Sequence, residues 1–103
     1  MVDLDPTRGS EQAGLRPAVI VSVDRFNHGP SNLVLVVPIT SRDKGIPLHV
    51  RIDPPEGGLG MVSFAKPEDL RSVSVERLVK HRGTVAPTTL AEILDRITIL
   101  IGT

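Results

Sequence analysis

The sequence predicts a small, mainly antiparallel β domain, a strongly curved barrel, completed by one C-terminal helix. Three observations predict it. Short runs of β-branched and apolar residues alternate with Gly, Pro and Asn clusters between residues 17 and 78. After Pro87 the spacing of apolar residues changes to that of a helix. The length of 103 residues, with 40% hydrophobic and 23% charged side chains, fits a single domain spanning 1–103.

Residues 6–15 are rich in Gly and polar side chains and read as a loop. Residues 17–23, Pro-Ala-Val-Ile-Val-Ser-Val, carry a strand signal. Asp24, Asn27, Gly29, Pro30, Ser31 and Asn32 form a turn cluster. Residues 33–39 are an unbroken apolar run, which suits a central strand covered on both faces. Pro38 has no N–H to give to a neighbour and marks an irregularity in the ladder. Residues 41–47 form a charged loop with Gly45 and Pro47. Residues 48–52 alternate and suit a strand with one wet face. The strongest turn signal lies at 53–60, Asp-Pro-Pro-Glu-Gly-Gly-Leu-Gly. Two more strands are expected at 61–65 and 72–78, with a short helical turn from Lys66 to Leu70. That makes about five strands.

The last segment is the helix. Leu90, Ile93, Leu94, Ile97, Leu100 and Ile101 form one apolar stripe. Pro87 suits the first turn, and Gly102 suits the end. Thr89 and Glu92 have capping-box spacing, and the box can begin a residue or two earlier. The helix should run for about four turns.

Composition excludes several classes of function. With no cysteine there is neither a disulfide framework nor thiolate chemistry. No apolar run approaches the ~20 residues needed to cross a bilayer. The N-terminus carries Asp3 and Asp5 where a signal peptide would carry basic residues, so a cytoplasmic location is expected. Formal net charge is +0, so a nucleic acid would have to meet a local patch. Phe26 and Phe64 are the only aromatics, too few for extensive base stacking.

His28 falls in a turn, His49 on an alternating strand and His81 in a loop. They share no motif spacing, so solvated or structural histidines are the simpler reading. Asp3 and Asp5 share one face of an extended segment, but no His or third carboxylate is near in sequence. No metal and no cofactor are expected. The chain has no P-loop, dinucleotide fingerprint or nucleophile elbow.

Two segments can carry chemistry. In the first, Gly9 and Gly14 let a loop fold back tightly and expose backbone N–H groups. Ser10, Glu11 and Gln12 lie at its tip and can hydrogen-bond a sugar or base edge. Arg16 stands at the foot of the following strand, where its fork can take a phosphate with two hydrogen bonds. In the second, a buried strand ends in Thr40 and Ser41 and then meets Arg42 and Lys44. On composition alone, a surface hairpin with a salt bridge and a charged turn remain the simpler readings.

These same segments resemble the MazF/PemK toxins. The first reads Asp-x-Asp-Pro-Thr-x-Gly-Ser-Glu-Gln, then Arg-Pro-Ala-Val-x-x-Ser. Pro-Ile-Thr-Ser at 38–41 matches the next family motif at the right distance. Leu70-Arg71-Ser72-Val73, Glu76-Arg77-Leu78 and Gly83-Thr84-Val85 extend the likeness to essentially the whole chain. Only Met1 and Val2 precede the first motif, where relatives usually have several residues, so either the first strand is shortened or the chain starts internally.

The resemblance implies an SH3-like barrel acting as a homodimer, sequence-specific cleavage of single-stranded RNA without metal, and a MazE-type antitoxin as partner. By position it puts catalytic roles on Arg16, Thr40 and Glu11. Ser10, Gln12, Ser41, Arg42 and Lys44 would line the RNA groove. In such a reaction the ribose 2′-hydroxyl attacks phosphorus, leaving a 2′,3′-cyclic phosphate and a 5′-hydroxyl. Guanidinium seldom gives up a proton, so Arg16 suits charge stabilisation better than base catalysis. Thr40 would orient the phosphate, and Glu11 would position the 2′-hydroxyl or remove its proton. Two other functions remain open on the same fold: a CcdB-like gyrase poison, and a non-catalytic RNA- or protein-binding barrel.

Overall fold

The computed structural model describes residues 2–4 and 16–102. In chain order the elements are β1 (Val2–Leu4), β2 (Arg16–Ile20), α1 (Asp24–Asn27), β3 (Leu33–Thr40), β4 (Val50–Ile52), β5 (Ser63–Ala65), β6 (Arg71–Ser74), β7 (Leu78–His81) and α2 (Pro87–Ile101). Among the described residues the strands form one seven-stranded antiparallel sheet along the path β4-β5-β3-β2-β1-β7, with β6 also paired to β3. The expected mainly antiparallel fold with a C-terminal helix is present. The apolar runs alone predict about five strands; the other two are β1, the first strand that the resemblance implies, and β7, which the run at 72–78 merges with β6.

The run expected as one strand at 72–78 is two. A 3-10 turn, Val75–Arg77, breaks it, and Ser74 accepts a bond from the Glu76 N–H to start that turn. His81 consequently closes β7 and does not lie in a loop. The cluster at 24–32 contains the one-turn helix α1. Asn27 stitches that helix back to Ser22 by donating to its carbonyl (3.1 Å) and by a second side-chain bond. The turn reading holds at Asn32, which adopts φ 60°.

β3 is covered on both faces, as its unbroken apolar run requires. Val37 and Ile39 face a core that includes Val19, Ile52 and, from α2, Ile93. Val34 and Val36 face a second cluster with Ala18 and Val73. Pro38 stands where β3 changes partner. Residues 33–36 pair with β6, and residues 39–40 pair with β5. The Pro38 carbonyl accepts from the Lys66 N–H at 2.9 Å, and the proline nitrogen has nothing to return. Lys66 leads into the expected turn, a 3-10 turn at Pro67–Asp69.

The capping box does not form. The N-cap is Ala86, with no side-chain cap bond, and Pro87 is the first helical residue. Glu92 pairs with Arg96 further along the helix instead. The helix starts three residues before the expected cap, so Thr89 is its third residue and Glu92 lies a turn too far along. Glu56, from the turn at 53–60, accepts the Ala86 N–H at 3.0 Å. A carboxylate from another loop thus takes the place of the local one. Gly58 and Gly83 bring that loop close. A Cβ on Gly58 would lie 2.3 Å from the Arg82 carbonyl oxygen, and one on Gly83 would lie 2.9 Å from the Gly57 carbonyl carbon. At the other end Gly102 takes the left-handed conformation, φ 80°, and its N–H bonds back to Thr98 and Ile99. Only part of the apolar stripe is covered. Leu90, Ile93 and Ile97 pack on the core, whereas Leu94, Leu100 and Ile101 are exposed.

Candidate active site

β2 and β3 pair as Ala18↔Pro38, Val19↔Val37 and Ile20↔Val36. Continuing that register to the strand ends sets Arg16 opposite Thr40. Directly opposed residues of an antiparallel pair share a face, with Cα atoms about 4.5–5.5 Å apart. Arg16 of the first candidate segment and Thr40 of the second, separate in sequence, therefore come side by side through the pleat of the sheet. Pro17, second in β2, suits this foot of the strand because its ring fixes an extended backbone angle there.

Arg16 is exposed and Thr40 half-exposed. The Thr40 hydroxyl oxygen accepts the Arg42 N–H at 3.2 Å. That bond orients Oγ1 and leaves the hydroxyl hydrogen to donate to an incoming oxygen. Ser41, Arg42 and Lys44 lie exposed on the loop that follows. Asp43 shapes this loop by accepting the Gly45 N–H at 2.9 Å, and Gly45 has φ 65°. The chemistry available at this strand end is a guanidinium fork beside a hydroxyl donor, with further cations on an adjoining loop. Such a set can bind and stabilise a phosphate gaining negative charge. Ser10, Glu11 and Gln12 lie outside the described residues.

Two side chains that the sequence did not single out share the face of Arg16 and Thr40. β5 places Phe64 opposite Thr40, and β4 places Arg51 opposite Phe64. Arg51 is largely exposed and donates from Nε to Asp53 at 2.8 Å. This bond raises the Arg51 pKa above its ordinary value, and attraction to Asp53 and Asp43 adds to the effect. The alternation in 48–52 and 61–65 could have marked both residues as wet-face positions. The pairing that aligns them with Thr40 could not be read that way.

The histidines do not join this group. His49 is almost wholly buried, and its Nε2 lies 2.6 Å from a Glu68 carboxylate oxygen, tying the chain before β4 to the turn at Pro67–Asp69. It is a structural histidine. His28 follows α1 and is exposed, as is His81. Among the described residues, no cluster of three or more His, Cys, Asp or Glu is arranged to hold a metal ion. No helix among them is long and apolar enough to cross a membrane.

An antiparallel sheet with a C-terminal helix is the fold of this chain, and its class is shown by comparison with known proteins. The family model described as PemK-like, MazF-like toxin of type II toxin–antitoxin systems matches residues 1–101, and the chain belongs to that family. Endoribonuclease MazF9 of Mycobacterium tuberculosis is 41% identical over 97 residues, covering 89% of this chain and 82% of the relative. The endoribonuclease toxin MazF of Escherichia coli K12 is 40% identical over 102 residues, covering 98% and 87%. Among solved structures, MazF in a MazE–MazF complex from Deinococcus radiodurans superposes with a TM-score of 0.80 at 29% identity, covering 99% of this chain and 90% of that one.

Proposed function

We propose that this chain is the toxin of a type II toxin–antitoxin pair and an endoribonuclease acting on single-stranded RNA in the cytoplasm, working as one domain over 1–103. The observation that supports the chemistry is the β2–β3 register, which, continued to the strand ends, sets Arg16 beside Thr40. Arg16 holds a non-bridging phosphate oxygen with its fork and stabilises the charge that builds as the 2′-hydroxyl attacks. Thr40 donates its hydroxyl hydrogen to the same phosphate. Glu11 positions the 2′-hydroxyl or takes its proton. Arg42, Lys44 and Ser41, with Ser10 and Gln12, line the groove that holds the RNA. No step needs a metal ion. A MazE-type antitoxin is the protein partner, as in the MazE–MazF complexes among its structural neighbours.

The homodimer belongs to the same reading. The end of α2 leaves Ile99, Leu100 and Ile101 between 44% and 66% exposed, and a second copy is the partner that covers them. Sedimentation of Leu100→Asp as a monomer, against a wild-type dimer, is the expected outcome.

Incubation with a mixed-sequence single-stranded RNA in EDTA, followed by end mapping, tests the function. Cyclic-phosphate ends at a recurrent short sequence are expected. Intact RNA with inhibited gyrase would favour a poison of the CcdB kind, and neither effect would favour a binding module.

A further inference from the structure

We propose that Phe64 is the stacking platform for the nucleotide base next to the cleaved phosphodiester, and that Arg51 beside it holds the next phosphate. This rests on the reading of Arg16 and Thr40 as the phosphate-binding pair.

The register carries the inference. Phe64 stands opposite Thr40 and Arg51 opposite Phe64. The β2–β3 register, continued two residues beyond Ala18↔Pro38, sets Arg16 at the other side of Thr40. The four thus form one row across β2, β3, β5 and β4. Neighbouring strands lie about 4.8 Å apart, so the row spans about 14 Å. Along it run a guanidinium, a hydroxyl, an aromatic ring and a second guanidinium. An RNA strand offers the matching order when it crosses the strands: phosphate, base, phosphate.

Exposure supports it. Within β5, Ser63 and Ala65 are buried at 3% and 0%, while Phe64 between them is only half-buried. The chain has two aromatic residues in all. One of them stands on the open face, directly opposite Thr40. Aromatic rings on such platforms stack any base, because every base has a π-face. Phe64 therefore contributes affinity and base placement, and leaves sequence choice to other contacts. The Arg51 bond to Asp53 uses Nε, which aims the guanidinium and leaves its terminal nitrogens for an anion.

The test uses the full-length protein and the RNA at its mapped cleavage site, with the attacking 2′-hydroxyl methylated so that binding is measured without cleavage. A 2-aminopurine replaces the base beside the blocked phosphodiester. Phe64→Leu keeps apolar bulk and removes the ring. It should weaken Kd and raise KM about tenfold, with a smaller change in kcat, and abolish 2-aminopurine quenching. Phe64→Trp should restore both. Arg51→Gln should reduce the slope of log Kd against log salt by about 0.7, the loss of one phosphate contact. Phe64→Leu binding as tightly as the native protein, or Phe64→Trp binding no better than Phe64→Leu, overturns the platform. An unchanged salt slope overturns the role of Arg51. Arg16→Ala separates the two readings, since normal cleavage by that variant overturns the catalytic pair and leaves the Phe64 result to stand or fall alone. A native protein that neither binds nor cleaves RNA overturns both.

Discussion

Successive residues of β3 face opposite sides of the sheet, and the two sides end differently. Val37 and Ile39 are 0% and 8% exposed and lie in the core that includes Ile93 of α2. On the other side Val34 and Val36 are equally buried, but the cover stops short of Thr40, which is half-exposed. The helix-side face is closed to the end of the strand. The opposite face is closed at one end and open at the other, and the open end holds Arg16, Thr40, Phe64 and Arg51. The packed core and the candidate site thus use alternate residues of the same strands. A substitution on one face should cost stability with chemistry spared, and one at the open end should do the reverse.

The largest expected effect is at the open end. Arg16→Ala should lower kcat by about 10³-fold while the protein melts like the native one, since it removes a preorganised donor to a developing oxyanion at an exposed position. Single-turnover cleavage beside a thermal melt checks both halves of that statement. Next comes the closed face. Ile93 is fully buried, and Ile93→Ala should lose about 3 kcal/mol of unfolding free energy in urea, with the surviving folded protein cleaving normally. Loss of cleavage without loss of stability in this variant would break the division between the faces. Thr40→Val keeps the branched shape and removes the hydroxyl. It should slow cleavage about 10²-fold, and an unslowed Thr40→Val would leave Arg16 as the only catalytic group at this end. The smallest effect concerns the helix start. Glu56→Ala strips the acceptor from the Ala86 N–H and should cost about 1 kcal/mol, read from the same urea titration, with no change in cleavage.

The central strand and the helix were legible in the chain because their signals are local. Leu33–Ile39 is apolar at every position, which only a strand covered on both faces tolerates. Pro87 and Gly102 mark the helix ends through their own backbone preferences, and both stand where expected. The capping box was misread because Thr89 and Glu92 have the right spacing, while the helix starts earlier, at Pro87, where the Ala86 N–H is met by Glu56 from a distant turn. The stripe on α2 was read correctly as apolar. How much of it is covered depends on how far the sheet extends beneath the helix, which no periodicity records.

The site divides in the same way. Arg16 at a strand foot and Thr40 at a strand end were visible separately, from residue type and position. Their meeting was not, because it depends on a register counted across two strands, where a slip of one residue would turn either side chain to the other face. Phe64 and Arg51 were hidden for the same reason. The sequence by itself determined which residues suit strands, turns and helix, since backbone preference and apolar spacing are local properties. Only the tertiary structure decided which wet-face residues stand side by side, since that follows from strand pairing between segments far apart in the chain.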